Sequence, residues 1–151
     1  MIAGALVLAF LNALPALLGG VSWYRGAGAD TAAVRAFWVL LRTAQVAAVL
    51  YALAVGVLAA TGRSPSERLF YLYALLPLAV SFVAEQLRLA SAQTILDQRG
   101  LESAADVGSL PESEQFAVVA AIVHRELGVM TLSALVVVFL ALRAAATAHG
   151  L

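Results

Sequence analysis

Eight polar side chains stand at positions that antiparallel helices bring to one level: Arg42, Gln45, Glu85, Gln86, Arg88, His124, Arg125 and Glu126. Arg42 and Arg88 are equally far in sequence from Pro65, which lies at the turn between two long apolar stretches, and Gln45 matches Glu85 in the same way. A last apolar stretch ending near Thr147 puts His124, Arg125 and Glu126 at that level too. An ionisable side chain inside a membrane segment costs about 2.5–3.5 kcal/mol at the bilayer centre and less towards its edge, so such a layer needs partners or water. Glu85 and Arg88 share a helical face at i,i+3 spacing, and Glu126 is placed to meet Arg88 or Arg42 from another helix. Two chemistries fit these residue types. One is a polar pocket for an anionic head group or a proton-coupled substrate, with Glu85 as the titrating group. The other is a ring of ion pairs that ends the apolar span and takes no substrate. A level near the membrane boundary rather than the midplane favours the ring.

Other chemistries find no residues. The chain has no Cys, so it has no disulfide, thiolate metal site or thiol nucleophile. Its two histidines, His124 and His149, are about 37 Å apart on one helix at 1.5 Å per residue, too far to clamp one haem within a protomer. A haem shared between protomers is the one cofactor arrangement they allow; otherwise no cofactor and no metal is expected. No hydrolase or zinc motif occurs. Formal charge is zero, which gives no basic field for nucleic acid. Asn12, the polar residue inside the first apolar stretch, is expected to hydrogen-bond across helices. Phe70, Tyr71 and Tyr73 read as an interfacial aromatic belt.

The elements that position the layer are four apolar stretches, at about 2–22, 37–61, 68–89 and 127–147, each of the length that crosses a hydrocarbon core of about 30 Å. The chain is 63% hydrophobic and 12% charged, against about 25% charged in soluble domains, so lipid must cover much of it. The expectation is one all-α domain over residues 1–151, a polytopic four-helix membrane bundle. All nine cations are Arg, which with the abundant Ala, Leu and Val suggests a bacterial protein of the cytoplasmic (inner) membrane. Met1–Gly20 lacks a charged start and runs on to Trp23 and Tyr24, so it reads as a retained helix rather than a leader. Pro15 and Pro77 predict kinks.

Turn chemistry sets the helix limits. The Gly26–Asp30 segment reads as a turn, with Asp30 or Thr31 capping the second helix, which ends at Gly62. Ser64-Pro-Ser-Glu67 reads as a capping box that starts the third helix at Pro65, and Gly100 stops that helix after about Gln98. Ser109-Leu-Pro-Glu112 reads as a second box, from which the last helix runs to about Thr147. The last two helices then outrun the bilayer and project as an antiparallel stem over about 90–126. Its expected apolar seam is Leu89, Ile95, Leu96, Phe116, Val119 and Val123, and its tip, with Asp97, Glu102, Asp106, Glu112 and Glu114 against Arg99, is acidic.

More Arg residues lie on the side of the first and third loops than on the other, which predicts a cytoplasmic stem and both termini outside. Small residues at i+4 spacing, Ala44, Ala48, Ala52, Gly56 and Ala60, form a candidate helix-packing seam that serves either packing within the chain or self-association. The expected function is a non-enzymatic accessory subunit or homo-oligomer. It would act through helix contacts and the acidic hairpin, with membrane lipids and other membrane-protein subunits or itself as partners. The alternative is a small transporter or channel using the ionisable layer.

Overall fold

Four long helices and one short one make up the chain, in a computed structural model that describes residues 1–63, 65 and 67–149. They are α1 (Ile2–Tyr24), α2 (Ala32–Ala60), α3 (Leu69–Gln98), α4 (Ala104–Val107) and α5 (Glu112–Thr147), with no strand among the described residues. The four long ones are each long and apolar enough to cross a membrane. α5, at 36 residues, extends about 54 Å. It lies between α1 and α3 and packs along both; α2 packs along α1 and meets α3 more sparsely. Trp23, in the last turn of α1, stacks on His124 of α5. Residues 112–123 of α5 therefore lie beyond the end of α1, about 18 Å of helix paired with the last turns of α3.

Three helices end in the same way. Gly26, Gly62 and Gly100 each adopt a positive φ, of 63°, 78° and 69°. At each, the Gly N–H and the following N–H return to the last-turn carbonyls: Gly26 to Trp23 and Ala27 to Ser22, Gly62 to Ala59 and Arg63 to Leu58, Gly100 to Asp97 and Leu101 to Leu96. A left-handed residue is needed to aim those two donors backwards, and only Gly takes it without steric cost. Thr31 caps α2, its hydroxyl accepting from the Val34 N–H at 3.3 Å.

Of the two expected capping boxes, the one at Ser109–Glu112 does not start its helix, and the one at Ser64–Glu67 rests partly on residues outside those described. Ser64 and Ser66 lie outside the described residues. α3 begins at Leu69 rather than Pro65, after a tight turn in which the Phe70 N–H donates to the Glu67 carbonyl. α5 begins at Glu112, with Pro111 as its N-cap and no side-chain cap. The reason is local: Pro111 disfavours the helical region at Leu110 and is itself extended, with φ −55° and ψ 147°, so the helix starts at the residue after it. Ser109 instead donates to the Asp106 carbonyl at 2.6 Å, and a capping box forms earlier in the chain, between Ser103 and Asp106 on α4. The Gln115 amide closes the approach to α5 by donating to the Leu110 carbonyl at 2.8 Å.

Burial revises two seams. On α2 the inward residues are Val34, Phe37, Leu41, Ala44, Ala48, Tyr51, Ala52 and Val55; apart from Ala52, beside Tyr51, they follow alternating steps of three and four. That is the 3.5-residue period that keeps one face on a neighbour, whereas a strict step of four rotates about 40° each time. The small-residue series follows the inward face at Ala44, Ala48 and Ala52 and then leaves it, so Gly56 and Ala60 are exposed. In the stem, Leu96 and Val118 are buried, while Leu89, Phe116 and Val119 point outward. Phe70 is fully buried in the core with Ala5, Leu8, Tyr51 and Ala141 rather than in an interfacial belt. Pro15 and Pro77 are both buried within continuous helices. Asn12 does not bridge helices through its amide nitrogen; that group donates to the Leu8 carbonyl of its own helix at 2.9 Å.

Candidate functional site: an ion-paired layer across three helices

Five of the eight polar residues meet in one network. Glu85 on α3 is its centre. One carboxylate oxygen takes Arg42 of α2 and, at 3.2 Å, the Gln45 amide; the other takes the Arg88 Nε at 3.0 Å. Arg42 also donates to the Gln45 carbonyl oxygen at 2.7 Å. Arg88 reaches on to Glu126 of α5 at 3.6 Å. Two arginines thus face two carboxylates, and the layer is formally neutral. It ties α2 to α3 where the two helices share few other contacts, and α3 to α5.

The indole of Trp38 carries both cations. The Arg42 guanidinium lies 5.7 Å and that of Arg88 5.5 Å from its ring centroid. A ring face at that distance favours a cation electrostatically, more so where water is displaced. Trp38 stands four residues before Arg42, a spacing that puts the two on one helical face and is the signal in the sequence that points to it. Beside the layer, Val34, Phe37, Leu41, Ala84, Leu127, Met130 and Ala134 form an apolar cluster against which Trp38 packs.

The remaining three residues stay out of the network. His124 stacks on Trp23 with ring centroids 5.1 Å apart, and Trp23 also covers Gly128. Gln86 and Arg125 are exposed and, among the described residues, carry no hydrogen bond or ion pair. Gly19 is a further position the sequence did not single out. A Cβ there would meet Thr131 Oγ1 and fall 2.5 Å from the Phe37 ring, so the contact of α1 with α2 and α5 requires hydrogen at that place. No group of three or more metal-binding side chains occurs among the described residues. Against protein-family models, curated proteins and solved structures, the chain has no match.

An arrangement of this kind can hold helices together at a fixed rotation. Both oxygens of Glu85 are occupied by cations or amide, and its two arginines are shared with Gln45, Glu126 and Trp38. Breaking such a set exposes uncompensated charge, which is the costly event, rather than making it, which is close to neutral.

Proposed function

We propose that the protein is a non-enzymatic, multi-pass subunit of a bacterial inner membrane, with its stem in the cytoplasm and both termini outside, and that it acts by docking a partner protein. The observation that carries this reading is the engagement of the layer. Its two arginines and two carboxylates are spent on one another, and the apolar groove between α3 and α5 is lined by none of the eight polar residues. A transporter would need Glu85 in reach of its substrate. The stem offers the docking surface instead. Phe116 and Val119 are 67% and 47% exposed, beside a tip whose Glu102, Glu112 and Glu114 make no ion pair among the described residues. An apolar stripe bordered by carboxylates suits a basic protein surface with an apolar centre. Self-association through the outward Gly56 and Ala60 is the second form of the same reading, since small residues allow close helix approach in lipid.

A photo-crosslinking side chain at Phe116, and separately at Gly56, tests this in intact cells. A heterologous adduct from Phe116 that disappears with Glu102→Gln, Glu112→Gln and Glu114→Gln together is the expected result. A dimer from Gly56 would select self-association. Absence of both adducts would overturn the proposal.

A further inference from the structure

Two of the three polar residues left outside the network, Gln86 and Arg125, point to a ligand. Between α3 and α5, on the outer surface, runs a groove with a volume of about 420 Å³ lined by Ala79, Val80, Val83, Leu87, Val129 and Leu132 among others. Its only polar liner, Ser133, already donates its hydroxyl to the Met130 carbonyl at 2.9 Å, so the groove presents hydrocarbon alone. From Ala79 to Leu87 it extends about 12 Å along α3, within the roughly 15 Å that one leaflet of a 30 Å core provides.

Arg125 stands at one end of it. Positions 125, 129, 132 and 136 form one stripe on α5 at steps of four, three and four, so Arg125 is the next residue of the groove-lining face beyond Val129. A helical side chain leans towards its helix N-terminus, which for α5 is the stem, so the guanidinium points away from the hydrocarbon wall. Gln86, next to Leu87 and three residues beyond Val83, borders the same end from α3. The hydropathy limits put this end at the edge of the apolar spans. An unpaired cation at the mouth of an alkyl-lined groove has the charge and shape complementary to a lipid with an anionic head.

We propose that the α3–α5 groove binds one acyl chain of an anionic phospholipid whose phosphate pairs with Arg125. Arg125 is free to do this because Glu126, its neighbour in sequence, is turned to Arg88. The site is separate from the stem's docking stripe and does not depend on it.

Native mass spectrometry of the full chain, titrated with phosphatidylglycerol in detergent, tests the site. Retention of the lipid should fall about tenfold in Arg125→Ala, the factor that one charge-assisted hydrogen bond is worth. It should fall similarly in Val83→Trp and Leu132→Trp, which fill the groove from either helix at exposed positions. Arg143→Ala, which removes a cation at the far end of α5, should leave it unchanged. Equal retention in Arg125→Ala, or equal loss in Arg143→Ala, overturns the assignment. Displacement of the lipid by inorganic phosphate alone, with both Trp variants unaffected, would reduce the site to a phosphate contact and overturn the groove. A dimer lost in the Trp variants, with no lipid adduct, would give the groove to a second copy.

Discussion

Glu85 holds two cations at once, and this sets the order of effects among the charged residues. Glu85→Ala leaves Arg42 without a carboxylate and Arg88 with Glu126 alone, so it should destabilise the folded protein by about 1–3 kcal/mol, below the cost of breaking a fully buried pair. Arg42→Ala should cost less, because that side chain is half exposed. The double variant should cost less than the sum of the two singles, and reversible unfolding in detergent of all four proteins measures that coupling directly. Additive effects would mean that Glu85 and Arg42 do not interact. Two glycines give a second contrast. Gly19→Ala forces a methyl group into Thr131 and Phe37 and should cost about 2 kcal/mol by overpacking. Gly56→Ala meets nothing within 4 Å and should gain about 0.5–1 kcal/mol from helix propensity. Thermal unfolding of the pair should move the midpoints in opposite directions.

At the scale of elements, the stem is a paired helix rather than a floppy connection. Leu96 and Val118 are buried within it, and the tip is ordered by Gly100, by the Ser103–Asp106 box on α4 and by the Gln115 amide. Helical backbone resists proteases because cleavage needs an extended segment, which local unfolding must supply. Trypsin has sites at Arg88, Arg99 and Arg125 in this region. Arg99 follows the last residue of α3 and precedes a left-handed glycine, whereas Arg125 is exposed but sits in the middle of α5. Brief trypsin treatment should therefore cut after Arg99 first and leave Arg125 intact. Early cleavage after Arg125 would show that the base of the stem opens.

For the whole molecule, the four long helices are each long and apolar enough to cross a membrane, and four crossings would put both termini on one side and the α4 tip on the other. Reporter fusions after His149 and within residues 103–107 should give opposite compartments. The same compartment from both would remove one span. Which side is cytoplasmic is the separate expectation that follows from the placement of Arg, and a cytoplasmic signal from the C-terminal fusion would reverse it without changing the number of spans.

The number of long helices, the glycine stops at three C-termini and the meeting of Arg42, Gln45, Glu85 and Arg88 were legible from the chain alone, whereas the starts of α3 and α5 were not. Length and apolar content set the spans, a glycine at each of three C-termini sets a stop through its own backbone freedom, and the level follows from counting residues away from a turn. Rotation about each helix axis was not legible. Val118 and Val119 are both apolar, and only the packing of α5 against α3 decides that Val118 turns inward and Val119 outward. The same rotation of α5 sends Glu126 to Arg88 and leaves Arg125 on the surface, and the rotation of α2 ends its small-residue series at Ala52. In a chain this apolar, hydrophobicity cannot mark the inward face, because lipid accepts the outward one equally well; close fit between neighbouring helices decides it.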